Sequence, residues 1–146
     1  MAARHDEVVD VQIPAALEFI RDNSHAVLST TRRDGRAQLS PVDVTVNAVG
    51  QVVLSSRQTA MKVKNLRRDP FASLCVLSAT FYGQWCQVEG PVTIVDLPEA
   101  MDGLVDYYRR AAGEHPDWDD YRAAMVRERR VLVVMDVERA GPTVQG

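Results

Sequence analysis

The chain carries only two cysteines in 146 residues, Cys75 and Cys86, without the Cys-x-x-Cys spacing of a redox pair or a zinc site. Both stand among apolar neighbours, so they read as buried thiols in a reducing compartment rather than as a disulfide. Histidine is scarce too. His5, His25 and His115 are the whole set, and none has metal-ligand spacing to another His or Cys, so no metal site is expected. No apolar run approaches the roughly 20 residues that cross a bilayer. The opening Met-Ala-Ala-Arg-His-Asp-Glu has no apolar h-region. The expectation is a cytoplasmic protein with neither signal peptide nor membrane span. A basic excess is missing as well: the formal net charge is −3, which argues against a general nucleic-acid binder. Gly-x-Ser-x-Gly, Gly-x-Gly-x-x-Gly and Walker motifs are all absent. With no nucleophile in a basic setting, no metal cluster and no acid–base pair, the chain is either a binder or a cofactor enzyme. In the second case the cofactor carries the chemistry and the protein supplies placement.

What is present suits one globular domain, residues 1–146, with an ordered core over about 12–139; 46% of the residues are hydrophobic and 25% charged. Ile13, Ala16, Leu17 and Ile20 recur at helical spacing, with Pro14 in the first turn. His25–Thr31 reads as a strand and Arg33-Asp34-Gly35 as a hairpin turn. A second strand follows over Ala37–Val46, with Pro41 marking it as an edge or a bulge. Gln51–Ser55, Phe71–Leu77, Trp85–Val95 (interrupted at Gly90-Pro91) and Val131–Val137 complete six strands. Met101, Leu104, Val105 and Tyr108 make a helix whose start has Asp96 and Glu99 at capping-box spacing. Its apolar stripe places Tyr108 in the core. Asp117 caps a further helix carrying Trp118, Tyr121 and Met125. The tail from Arg139 reads as frayed. Consecutive strands joined by short turns pair antiparallel. The fold class is therefore mainly β (α+β), a small six-stranded antiparallel barrel with peripheral helices.

The most informative stretch is Ser55–Pro70. Arg57, Lys62, Lys64, Arg67 and Arg68 crowd between a strand and a helix against the single acid Asp69. Hydroxyls, cations and free N–H groups at a strand-to-helix junction are what a phosphate needs. The same run also reads as a solvated helix face.

Val27-Leu-Ser-Thr-Thr-Arg-Arg-Asp-Gly-Arg-Ala-Gln-Leu-Ser-Pro41, then Lys62-Val-Lys-Asn-Leu-Arg-Arg-Asp-Pro-Phe-Ala-Ser73, then Val88-Glu-Gly90 resemble the pyridoxamine 5′-phosphate oxidase-like split β-barrel superfamily. More closely, the chain looks like the actinobacterial branch that binds the deazaflavin coenzyme F420. The segment from Gly113 to Arg122 is similar to a mycobacterial-type subgroup. The resemblance covers residues 15–138 and implies a six-stranded split barrel of the FMN-binding type. It further implies a homodimer with cofactor grooves at the subunit interface. Carried over residue by residue, it puts the cofactor ring against Gln38, Leu39, Ser40, Pro41 and Val42. The phosphate and acidic tail fall to Ser55, Ser56, Arg57, Thr59, Lys62, Lys64 and Asn65. Arg67 and Arg68 face either the tail or solvent. Trp85 and Trp118, with Tyr82, Tyr107 and Tyr108, are candidates to line a slot for a planar acceptor, and Trp118 alternatively packs across the dimer interface. The family's vitamin oxidases carry a longer C-terminal segment than the one following the last strand here, which argues against vitamin B6 oxidation.

The reading that follows is an F420H2-dependent oxidoreductase passing a hydride to a quinone-like or otherwise conjugated small molecule. No catalytic side chain or proton donor is assigned. An FMN-dependent oxidoreductase and a non-catalytic F420 carrier are the alternatives. A haem-binding split barrel is disfavoured by the three histidines.

Overall fold

The first helix, α1 (13–22), forms because its apolar residues fall on one face: Ala16 and Ile20 are buried in the main core. The computed structural model describes residues 13–145, with side chains through residue 141. Asn23 ends α1 by donating its side-chain amide to the Phe19 carbonyl at 2.9 Å.

Strand β1 (His25–Thr31) alternates strictly, turning Ala26, Leu28 and Thr30 inward. The turn after it closes at Gly35, whose φ of 85° suits glycine. The stretch expected as one strand over Ala37–Val46 is two, β2 (Ala37–Asp43) and β3 (Thr45–Val46). At Val44 the chain leaves β1, its N–H bonding the Ser24 carbonyl at 2.8 Å, and then joins β4 (Val52–Arg57) instead. The sheet order β2-β1-β5-β6-β7-β4-β3 therefore has β2 and β3 at its two ends, although they are neighbours in sequence. That continuity curls the sheet into a barrel with a split between β2 and β4. Pro41 sits on the terminal strand β2, where the N–H it lacks is not needed for a second ladder.

Helix α2 (Met61–Arg68) links β4 to β5 (Phe71–Leu77). The long strand β6 (Gln84–Val95) is unbroken at Gly90-Pro91: it pairs with β5 as far as Pro91 and with β7 (Arg130–Met135) from Val92 onward. The Gly-Pro pair is thus where one strand passes between two sheets. The tail read as frayed forms β8 (Arg139–Gln145), which pairs along the first half of β6, so eight strands replace the six expected. This pairing is long-range, and the Gly141-Pro142 signal for a loop end is overridden by it.

Two cores result. One fills the barrel with Leu28, Val52, Leu74, Val76, Val88, Val131 and Val133, closed by Val63 and Leu66 of α2. The other lies beneath α3 (Met101–Ala112) and α4 (Trp118–Arg127), where Leu104, Val105, Tyr121 and Met125 meet Val53, Leu132 and Val134. Strand β7 serves both, with alternate residues facing barrel and helices, which accounts for its continuous apolar run. Asp117 caps α4 as expected, accepting from the Asp120 N–H at 3.1 Å. The expected Asp96–Glu99 box does not cap α3: the N-cap is Ala100, whose side chain has no acceptor, and the Asp96 carboxylate four residues earlier pairs with Arg67 instead. Among the described residues no helix is long and apolar enough to cross a membrane.

Candidate functional site

The split between β2 and β4 opens into a groove of about 960 Å³. Its apolar side comes from the strands: Ala26 and Val27 of β1, Pro41 and Val42 of β2, and Leu77 of β5. Its polar end is the β4–α2 junction, with Ser55, Ser56, Arg57, Ala60 and Lys62. The helical layer supplies the third side, with Tyr107 and Tyr108 from α3, His115 from the α3–α4 loop, and Tyr121, Met125 and Glu128 from α4 and its C-cap.

The charges are unequally committed. Glu128 accepts from Arg130 at 2.9 Å and from Arg57 at 3.2 Å, and these two bonds, Arg130's first, hold its carboxyl below the usual carboxylate range. Lys62 has no carboxylate partner among the described residues, so its charge is available to an anion. Tyr107 donates its hydroxyl to the Asp43 carbonyl at 2.9 Å, tying α3 to β2 across the split. Burial, reinforced by Asp43 and Tyr121, pushes the Tyr107 hydroxyl up to about 12. The folded protein therefore keeps this proton to higher pH than the unfolded chain, whose tyrosines titrate near about 10. Stability should fall as pH rises from about 10 towards 12. Tyr107→Phe should flatten that fall and cost about 1 kcal/mol at neutral pH for the lost bond. Urea unfolding of both proteins at pH 8, 10 and 11 checks this, and identical alkaline slopes would remove Tyr107 as the cause.

A planar ring with a phosphate fits these residues. The apolar strand surface adjoins two serines and a lysine without a carboxylate partner among the described residues. The family model for pyridoxamine 5′-phosphate oxidase matches residues 13–143. The chain belongs to the pyridoxamine 5′-phosphate oxidase family. Among solved structures it is similar to a conserved hypothetical protein of Mycobacterium tuberculosis, at 26% identity and a TM-score of 0.70, covering 85% of this chain and 79% of that one. It is also similar to a protein described as an F420 reductase, at 19% identity and a TM-score of 0.65, covering 85% and 94%. A heme binding protein from Mycobacterium smegmatis matches at 19% identity and a TM-score of 0.63, covering 90% of this chain and 57% of that one. The last two likenesses speak to the fold alone. Membership and fold establish a split barrel of a family that includes oxidoreductases, and they leave the reaction to be argued from the site.

In this split barrel nine of the twelve cofactor residues singled out from the sequence divide between two grooves. Pro41, Val42, Ser55, Ser56, Arg57 and Lys62 line the one described above. Gln38, Lys64 and Asn65 line a second, of about 890 Å³, on the other side of α2, together with Arg32, Arg33, Met61, Arg67 and Arg68. Among the described residues no carboxylate lines it. Part of that charge is already used: Arg67 makes a two-pronged pair with Asp96, and Arg68 donates to the Thr31 carbonyl and to Asn65. Asn65 itself is 2% exposed and donates to Thr30 Oγ1 at 3.1 Å, so it braces α2 against β1. Arg32, Arg33 and Lys64 remain without a carboxylate among the described residues. Leu39, Ser40 and Thr59 line neither groove: Leu39 and Thr59 are exposed, and the Ser40 hydroxyl oxygen is buried without a hydrogen-bond partner.

The aromatics fall differently from the expectation. Tyr108 is half-buried on the groove rather than in the core, and Trp118 packs edge-on against it at 5.7 Å. Trp85, half-buried on β6, lines neither groove, and Tyr82 is exposed in the β5–β6 loop. Sequence reasoning missed Glu128, Arg130 and Tyr121 as groove residues. The Arg57–Glu128 pair spans 71 positions and leaves no local signal. His115 lines the groove as well, and a loop position before proline gives no signal of what it faces. Cys86 is buried and Cys75 half-buried, both free, and burial pushes both thiols up, Cys86 to about 11. They are poor nucleophiles. No group of three His, Cys, Asp or Glu that could hold a metal is found among the described residues.

Proposed function

We propose that the protein is an F420H2-dependent reductase working as a homodimer. The observation that carries this reading is the pair of grooves on either side of α2. One is part apolar and ends in serines and a lysine; the next is lined, among the described residues, by five cations and no carboxylate. A ligand with a planar ring, one phosphate and an acidic tail would use both, whereas FMN, with a ring and one phosphate, would use only the first. Reduced F420 supplies a hydride to an electron-poor conjugated acceptor. The chain's own part is placement: Val27, Pro41, Val42 and Leu77 offer an apolar surface to a ring, and Lys62 with Ser55 and Ser56 fixes a phosphate. The carboxylate of Glu128 keeps Arg57 and Arg130 in position beside it. Arg32, Arg33 and Lys64 would hold the tail. Two rings held face to face in van der Waals contact gain from orientation alone. The half-buried apolar residues on the outer sheet face, Val27, Cys75, Leu77 and Trp85, are the surface on which a second copy would close the groove.

Titrating the purified protein with F420 and, separately, with FMN tests the reading. Tight F420 binding and weak FMN binding support it, and turnover of F420H2 with a quinone separates the reductase from a carrier. The reverse preference would make it a flavin enzyme, and binding of neither would reduce the basic helix to a solvated face.

A further inference from the structure

The α3–α4 loop is held more firmly than a loop with a glycine and a proline needs to be. Glu114 accepts from the Trp118 indole N–H at 3.0 Å and pairs with Arg109 at 3.0 Å. Arg109 in turn stacks over the Trp118 ring at 4.7 Å. Within this frame the His115 ring is packed against three aromatic rings, Tyr108 at 5.0 Å, Tyr121 at 5.5 Å and Trp118 at 5.7 Å between centroids. Its Nδ1 accepts the Asp117 backbone N–H at 2.9 Å. That bond decides the tautomer: with Nδ1 accepting, the proton of the neutral ring is on Nε2. Nε2 has no protein partner among the described residues, and the ring lines the groove. The aromatic packing thus presents one oriented N–H donor, fixed before any ligand arrives.

We propose that the His115 Nε2–H is the donor that anchors a carbonyl oxygen of the acceptor in this groove, and so selects oxygen-bearing conjugated molecules. The proposal rests on the reductase reading for its substrate class. A neutral imidazole is far too weak an acid to give up that proton, so its role is to hold and polarise the oxygen. His25, the other imidazole on the groove, is exposed and lies 3.6 Å from Asp43, with no aromatic packing to orient it.

The test uses duroquinone, which has two carbonyl oxygens, and durene, the same ring without them. Binding of each is measured by equilibrium dialysis to wild type and His115→Phe, both without cofactor and with oxidised F420, where no turnover occurs. In His115→Phe the dissociation constant for duroquinone should rise about tenfold, while durene binding stays within twofold. Unchanged duroquinone affinity in folded His115→Phe, an equal loss for durene, or no duroquinone binding to wild type in either arm overturns the proposal. Should His115→Phe not fold, the imidazole N–H proton signal of ¹⁵N-histidine wild type carries the test: duroquinone must move it and durene must not. The cofactor-free arm separates this outcome from the cofactor reading, since a protein that binds neither F420 nor FMN can still discriminate the two probes.

Discussion

Gly90→Ala should destabilise the protein by about 3 kcal/mol, a cost at the upper end of those for forcing atoms into a packed site. The reason is local and backbone-borne. A Cβ at position 90 would lie 1.9 Å from the Asp136 carbonyl oxygen and 3.0 Å from the Glu138 nitrogen. Neither atom can swing away as a flexible side chain would. Both belong to the stretch after β7 that crosses close over β6, held there by the Asp136 N–H to the Pro91 carbonyl at 3.0 Å and the Glu138 N–H to the Glu89 carbonyl at 2.9 Å. Relieving the clash means breaking those bonds and lifting the entry to β8 off the barrel. Gly103→Ala is the control. Its added carbon would meet the tip of the Leu132 side chain, which has rotamers to use. Thermal unfolding should show a drop of roughly 10 °C for Gly90→Ala and a clearly smaller one for Gly103→Ala. Equal losses would mean that the backbone crossing is not the constraint.

The same crossing shows what the sequence conceals. Strands β1 and β5 are legible to the residue because their periodicity, their turns and their burial agree: half of each faces one core. Residues 37–46 show two strands' worth of β pattern, but no local feature says that the chain changes partners at Val44, because the change is imposed by β4 pairing from beyond the turn. Strand β8 is invisible for a related reason: a Gly-Pro pair reads as an ending, and only β6, some fifty positions earlier, makes it a strand. At the site, the cations of α2 announced themselves as a cluster. The sequence could not show that one turn of helix divides them between two grooves, placing Lys62 on one and Lys64 on the other. Nor does a stripe position on α3 reveal that Tyr108 lies at the rim of the second core, facing the groove rather than covered.

That division of the lysines gives the sharpest test of the cofactor site. Lys62→Ala should weaken F420 binding by about 1–3 kcal/mol, a rise in dissociation constant of roughly 5- to 150-fold, because a charge-assisted bond to a phosphate is lost from a partly sheltered groove. Folding should be nearly untouched, since Lys62 is half-buried and makes no ion pair among the described residues whose loss would register. Lys64→Ala should do something different. It lies on the second groove with Arg32 and Arg33, so in the proposed reading its contribution goes to the acidic tail. There the contact is exposed, worth about 1 kcal/mol or less, and screened by salt. Its effect should therefore vanish with a tail-less form of the coenzyme and shrink as sodium chloride is raised from 50 to 500 mM, while the Lys62→Ala loss persists in both conditions. A Lys62→Ala loss that disappears with the tail-less coenzyme would move the phosphate away from the β4–α2 junction. Equal sensitivity of the two variants to tail and salt would mean that the grooves act as one diffuse basic surface, without the separate phosphate and tail sites argued above.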